Sequence, residues 1–336
     1  MTPTTPTRTP APRRRARLAS HLQRYGVLIA LALLVLFGAL RYDGFLSAYN
    51  VGSVLSYNAM FGLIALGMTF VIMTGGIDLS VGSVAALASV VGAILSPHGL
   101  LPALIGAVAV AALLGLINGL IIAYLRILPF ITTLAMLLAA RGLALMTAGN
   151  QSVSADFDHG FTTLGQGSVH GVPYAALLLL AAFAIGAVAL RTTRFGRHVL
   201  AIGGNEEASR LMGLPVERTL VLVYTLSGAL AGLAGVLLAS QFGAGQPTEG
   251  VGWELTAIAA VVVGGTLLTG GVGSVGSTLV GALLLGVIFN VLNFENGKGT
   301  ISLSVHWQSV IRGAFLLVVV ILQQQLAGRR ARAASH

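Results

Sequence analysis

The chain contains no cysteine, which excludes disulfide frameworks, thiol nucleophiles and cysteine metal sites. Charge is nearly as scarce: 9% of its 336 residues are Asp, Glu, Lys or Arg, and only ten are carboxylates. A soluble domain carries about 25% charged residues, so an ordinary water-facing surface is not available to this sequence. No G-x-x-x-x-G-K-[ST] occurs, so no phosphate-cradling loop and no nucleotide hydrolysis are expected in the chain itself. Gly203, Gly204 and their neighbours do not make a dinucleotide fingerprint either. The seven histidines are scattered through loops and termini without metal-ligand spacing, so no metal site is expected. The apolar/polar alternation of a membrane β-barrel is also missing.

What remains is apolar. Hydrophobic residues make up 56% of the chain and the mean hydropathy is +0.90. Runs long enough to cross a bilayer, about 17–25 residues each, recur throughout, which predicts an all-α polytopic membrane protein. Ten spans are read at about 25–40, 51–74, 80–96, 101–124, 129–148, 173–190, 219–242, 253–268, 274–293 and 307–325. Residues 1–24 are rich in Thr, Pro and Arg and are expected to be a disordered basic tail. Residues 25–325 form the transmembrane domain, and 326–336 a second basic tail. A charged start before an apolar run resembles a secretory signal, but no small-residue cleavage site follows Leu40, so an uncleaved anchor is expected. The net charge of +9 does not point to nucleic acid, because the basic residues sit in loops and tails beside the spans. With the N-terminus inside, fifteen Lys/Arg fall on inner segments and only Arg41 and Lys298 on outer ones. Both termini are therefore expected on the cytoplasmic side.

Two stretches nearly duplicate each other: TGGIDLSVGS (74–83) and TGGVGSVGS (269–277). Paired glycines, Gly75–Gly76 and Gly270–Gly271, at corresponding points of two halves mark either interrupted helices beside a transport path or tight turns between hairpinned helices. Ionisable groups inside spans are costly and invite a functional reading. Asp78, Arg141, Glu254 and Arg312 qualify. Asp78 has a structural alternative as a cap for a helix starting near Leu79 or Ser80. Arg141 and Arg312 have the outer halves of their spans, from which they can snorkel, and Glu254 has the interface. Asn58, Asn118, Asn290 and Asn293 are of the type that glues helices together. Candidate path residues are Asn58, Arg141, Glu254, Asn293 and Arg312; Gly75, Gly76, Asp78, Ser80, Gly270 and Gly271 are the candidate gate.

One polar island separates the apolar halves: residues 191–218, RTTRFGRHVLAIGGNEEASRLMGLPVER, with five arginines and three carboxylates. It reads as a cytoplasmic docking loop. Asn205 is a good N-cap, with Glu206 and Glu207 in the first turn, where the helix dipole favours acids. Ala208, Leu211 and Met212 share a small apolar face, Gly213 suits a C-terminal cap, and Pro215 forbids continuation. A helix of about eight residues, Asn205–Met212, is marginal alone and needs a surface to dock on.

The segment GGNEEASRLMGL resembles the coupling loop of sugar-importing ABC transporter permeases of the ribose/galactofuranose type. SYNAMFGLIALGMTFVIMTGGIDLSVGSV (56–84), LPFITTLAMLLAARGLALM (128–146) and QPTEGVGWELTAIAAVVVGGTLLTGGVGS (246–274) resemble that family in order, covering about 45–325. NFENGKGTISLSVHW (293–307) looks most like the galactofuranose-type members. The resemblance implies ten helices in each of two permease subunits, paired with itself or a paralogue. It also implies two cytoplasmic ATPase subunits that bind the ATP and magnesium, and a periplasmic sugar-binding protein. Asn205, Ala208 and Gly213 occupy the coupling motif, and Asp78 lies in the signature segment. Thr256 stands where the family usually has an acid, so an acid's role there is in doubt, while Glu254 remains. A branched-chain amino-acid permease, a secondary sugar transporter and a membrane assembly protein are the rival readings.

Overall fold

A computed structural model of the protein describes residues 13–297 and, beyond them, residues 307, 310, 313, 314 and 317. Twelve helices follow in order: α1 (Arg13–Arg41), α2 (Ala48–Met73), α3 (Val81–Leu95), α4 (Leu100–Leu125), α5 (Pro129–Thr147), α6 (Thr163–Gln166), α7 (Tyr174–Thr192), α8 (Arg194–Gly204), α9 (Glu206–Leu211), α10 (Val216–Phe242), α11 (Trp253–Val263) and α12 (Val275–Gly297). Among the described residues, seven stretches are long and apolar enough to cross a membrane: α2, α4, α5, α7, α10, α12, and α3 with its extension to His98. They sit where seven of the ten spans were read. The apolar part of α1, Gly26–Arg41, and α11 are shorter. Most of the tenth expected span, Arg312 included, lies outside the described residues, as do both chain ends.

Two elements depart from expectation. The helical backbone of α1 reaches back to Arg13, inside the stretch expected to be a disordered tail. Residues 13–24 hold five arginines, two alanines and two leucines, all strong helix formers. The span expected at 253–268 stops at Val263, because Gly264 and Gly265 close a turn there.

The core forms around α2 and α10. α2 has apolar residues on every side and 89% of its most apolar window is buried, as befits a central helix. α10 packs backbone to backbone on α4 through Gly115 and Gly119 of one and Gly228 and Gly232 of the other. A side-chain carbon at Gly115 would strike the Tyr224 carbonyl, and one at Gly228 the Ala111 carbonyl. Each helix therefore carries a small-xxx-small pair at its contact, the residue choice that lets helices approach closely in lipid. At the bundle's edge, Tyr42 donates to Glu295 at 2.6 Å and Arg41 lies 3.8 Å from the same carboxylate, clasping α1 to α12.

The link from α10 to α11 positions the site. After Phe242 the chain does not leave the bundle. Ala244–Gly245 pairs with Val153–Ser154, and Gln246 donates its N–H to Ser89 Oγ at 3.0 Å. Gly245 packs on Val90 and Ala93, whereas the Gly250 carbonyl lies against Gly82, near the opposite end of α3. Residues 243–252 thus re-enter alongside α3. Non-helical backbone at membrane depth is tolerated only where protein buries it or it lines a cavity. α11 then needs only eleven residues, about 16 Å at 1.5 Å per residue, to return to the end that carries the island.

Candidate functional site

The island folds as two short helices. Thr193 caps α8 by accepting from the Gly196 N–H at 3.3 Å, and Val199 and Ile202 bury its inner face while Phe195 packs on Phe70 with ring centres 5.7 Å apart. This first helix was missed from sequence. The signal was there: Phe195, Val199 and Ile202 recur at helical spacing behind a threonine cap.

α9 follows directly, capped as expected: Asn205 Oδ1 accepts from the Ala208 N–H at 2.9 Å. Arg210 bonds Glu206 at 2.9 Å and also pairs with Glu217 of α10. Those bonds, the one to Glu206 foremost, raise its already high pKa and keep it charged. The helix ends in a Schellman motif: Gly213 donates to the Arg210 carbonyl at 2.9 Å and Leu214 to the Ser209 carbonyl at 3.0 Å. Gly213 holds φ +75°, a conformation that suits glycine. The expected apolar face divides. Ala208 is half-buried, while Leu211 and Met212 stand 85% and 69% exposed. Asn205→Ala removes the cap and should cost about 1 kcal/mol of local helix stability. Limited proteolysis near Arg210 should accelerate about fivefold as a result, with global unfolding unchanged.

The two glycine stretches meet each other and the end of α8. The Gly271 N–H donates to the Met73 carbonyl at 3.0 Å. A side-chain carbon on Gly270 would fall 2.9 Å from both the Gly203 carbonyl and the Gly75 nitrogen. One on Gly203 would collide with the Met73 carbonyl and the Gly271 nitrogen. Three backbones therefore touch with no side chain between them: the end of α2, the 264–274 turn, and the last turn of α8 just before the Asn205 cap. Both stretches are connectors: the 74–80 one, joining α2 to α3, is largely buried, while the 264–274 one is partly exposed, Val272 by 54%. A cavity of about 250 Å³ lies beside the junction, between Gly75–Gly76, Arg126 of the α4–α5 turn, and Glu206 and Arg210 of α9.

A second polar group lies deeper. Arg141, on α5, donates to the Pro247 carbonyl of the re-entrant segment. The carboxylates of Glu254 and, more weakly, Glu249 act on the same guanidinium. Glu254 Oε2 also lies against Gly82 at the start of α3. Counted along their helices from the island end, Arg141 is about 18 Å and Glu254 about 14 Å in, near the middle of a hydrocarbon core of about 30 Å. Glu254 is therefore not interfacial. Its span starts at mid-depth because the preceding segment re-enters, a feature that no periodicity signals.

A family described as branched-chain amino acid transport system / permease component matches residues 50–320, a stretch that holds the junction, the deep pair and the island. The chain belongs to that permease family. The ribose import permease protein of Bacillus subtilis (strain 168) is 41% identical over 313 residues, which cover 90% of this chain and 94% of the relative. The ribose import permease protein of Escherichia coli (strain K12) is 37% identical over 306 residues, covering 89% and 92%. The L-arabinose ABC transporter permease protein of Azospirillum brasilense is 37% identical over 311 residues, covering 92% and 90%. No solved structure matches.

Within the permease, the remaining candidates divide. Asn58 is buried on α2, donating to the Val54 carbonyl at 2.7 Å and pressed against Gly286 of α12, a helix–helix contact of the gluing kind. Asn290 exchanges bonds with Asn50 at 2.8 and 3.1 Å, an α2–α12 tie of the same kind. Asn293 is exposed on α12. Asp78 does not cap α3; the N-cap is Ser80, whose side chain makes no capping bond. Instead Asp78 Oδ1 accepts from the Ser80 N–H at 3.0 Å and Oγ–H at 2.6 Å, and Oδ2 accepts from Ser227 of α10 at 2.9 Å. The carboxylate ties the first connector to α10.

Proposed function

We propose that this permease forms the membrane path of an ATP-driven importer for a monosaccharide, a pentose or furanose sugar such as ribose or galactofuranose. The observation that carries the reading is its likeness, over nine-tenths of the chain, to permeases named for ribose and L-arabinose. The chain carries no ATPase motif, so cytoplasmic ABC ATPase subunits bind the ATP and magnesium and supply the work. A periplasmic binding protein delivers the sugar, and a second permease subunit, a copy or a paralogue, completes the path. The protein then lies in a bacterial inner membrane with both termini and α9 on the cytoplasmic side.

In this scheme α9 seats on the ATPase through Leu211 and Met212. ATP-driven closure moves α8–α9 as a unit, and the glycine junction passes that motion to α2 and the 264–274 turn. These two bound the connectors at the cytoplasmic end of the path, so the path switches between outward-open and inward-open. Arg141, Glu249 and Glu254 offer donors and acceptors to sugar hydroxyls at mid-depth, beside the re-entrant backbone. Broken helices at the midplane are where transporters place substrate.

Reconstitution in proteoliposomes with an ABC ATPase and a periplasmic sugar-binding protein tests the reading. ATP-dependent uptake of radiolabelled ribose, arabinose or galactose is expected, with no uptake of leucine. Leucine uptake would favour the branched-chain reading suggested by the family's description, and sugar uptake on a proton gradient without ATPase would refute the importer. In the same assay Arg141→Gln and Glu254→Gln should each lower uptake at least about tenfold, one lost hydrogen bond to a charged group being worth about 1.5–3 kcal/mol. ATPase binding should be unaffected.

A further inference from the structure

Around Asp78, hydrogen bonds link Ser80, Asn118 of α4 and Ser227 of α10, and Tyr224, one turn from Ser227 on α10, is buried against Gly76 of the same connector. Asp78 is 1% exposed, and Asn118 of α4 and Tyr224 of α10 are 0% exposed. Three donors already point at the carboxylate, from the Ser80 N–H, the Ser80 hydroxyl and the Ser227 hydroxyl. Asn118 Nδ2 is fixed by a 3.1 Å bond to Ser80 Oγ, which leaves Asn118 Oδ1 as the free end of the amide. That oxygen has no hydrogen-bond partner, and neither has the Tyr224 hydroxyl, which lies against Gly76. Tyr224 and Ser227 are three residues apart on α10 and share a face. Among the described residues no ion pair reaches Asp78.

We propose that Asp78, Asn118, Ser227 and Tyr224 hold a monovalent cation of sodium size in this cluster. Three kinds of occupant compete. A proton on Asp78 cancels the charge, but it turns a serine hydroxyl away and leaves both free oxygens unpartnered. A water molecule serves the free oxygens but leaves a carboxylate uncompensated in a low-dielectric interior, which is the expensive part. A cation does both, taking lone pairs from the carboxylate, Asn118 Oδ1 and the Tyr224 and Ser227 hydroxyl oxygens. All are hard oxygen donors, the kind that non-transition cations select. One carboxylate balances one positive charge; a divalent ion would leave a net charge buried, and magnesium would retain waters. The bound ion would fasten the 74–80 connector to α4 and α10 directly beneath the glycine junction, steadying one half of the gate.

The test uses the purified full-length permease in detergent, with thermal unfolding followed in sodium, potassium or N-methylglucamine chloride at equal ionic strength, and ²²Na⁺ binding measured by equilibrium dialysis. Sodium is expected to raise the melting temperature by at least about 2 °C over N-methylglucamine, with about one ion bound per chain. Asp78→Asn should abolish both effects and Tyr224→Phe should weaken them. No bound ²²Na⁺ together with identical melting in all three salts would overturn the site. So would a sodium effect that survives Asp78→Asn, because the ion would then sit elsewhere. If Asp78→Asn does not yield folded protein, Tyr224→Phe decides: a weakened sodium response supports the site and an unchanged one refutes it.

Discussion

Gly203→Ala is expected to cut transport by an order of magnitude or more, while Gly204→Ala, one residue on, stays within about twofold of the parent. The two glycines share a helix end, a sequence context and the same intrinsic propensity, so the comparison isolates contact. A methyl on Gly203 meets the Met73 carbonyl and the Gly271 nitrogen, whereas one on Gly204 meets nothing within 4 Å. The obstructing atoms are backbone and cannot turn aside, so α8 must lift off α2 and the 264–274 turn. Overpacking of this kind costs about 1–3 kcal/mol, enough to shift the junction without unfolding the chain. The Gly203→Ala protein should therefore insert, bind its ATPase and still allow ATP hydrolysis, but hydrolysis should no longer rise when loaded binding protein is added. Stimulated ATPase activity in proteoliposomes is the measurement. If that stimulation stays normal in Gly203→Ala, the junction is not the route by which α9 reaches the gate.

Much of this was legible in the chain as letters, for identifiable reasons. Helix boundaries in lipid are set by runs of apolar residues, so α2, α4, α5, α7, α10 and α12 could be read to within a few residues. α9 was legible because its determinants are local: Asn205, the paired glutamates, Gly213 and Pro215 act within one or two turns. What was not legible depends on contacts far apart in sequence. Nothing within 243–252 announces that it folds back along α3; Ser89, Val90 and Gly82 dictate that, more than 150 residues away. Missing this fold-back left an interfacial alternative open for Glu254, a candidate path residue, whose carboxylate lies against Gly82 at the start of α3 and acts on the Arg141 guanidinium. The same reason hid the role of Asp78. An aspartate before a helix start suggests a cap, and only the packing of α10 brings Ser227 to its second oxygen. Asn58 fits the helix-gluing alternative open to it in the sequence, held by its own helix and packed on Gly286 of α12.

Leu211→Asp combined with Met212→Asp should abolish co-purification of the ATPase subunits while leaving membrane insertion and thermal stability of the permease within experimental error. Both side chains are large, apolar and exposed. Inside the permease they bury little, so their removal costs the isolated fold little. α9 itself survives the change, since its cap at Asn205, the Arg210–Glu217 pair and the Schellman motif at Gly213 all lie elsewhere. Against a partner's groove the account reverses. Each buried leucine or methionine is worth about 1.5–3 kcal/mol, and an aspartate in its place must be desolvated as well. Together the two changes remove about 3–6 kcal/mol before any charge penalty, a loss of more than a hundredfold in affinity. Glu206→Arg, which breaks only the solvent-facing pair with Arg210, should weaken docking far less, because exposed ion pairs contribute about 1 kcal/mol at most. The decisive comparison is a pull-down of the three proteins on the same tagged ATPase. If the double aspartate protein is retained as well as the parent, the exposed pair is not the docking surface.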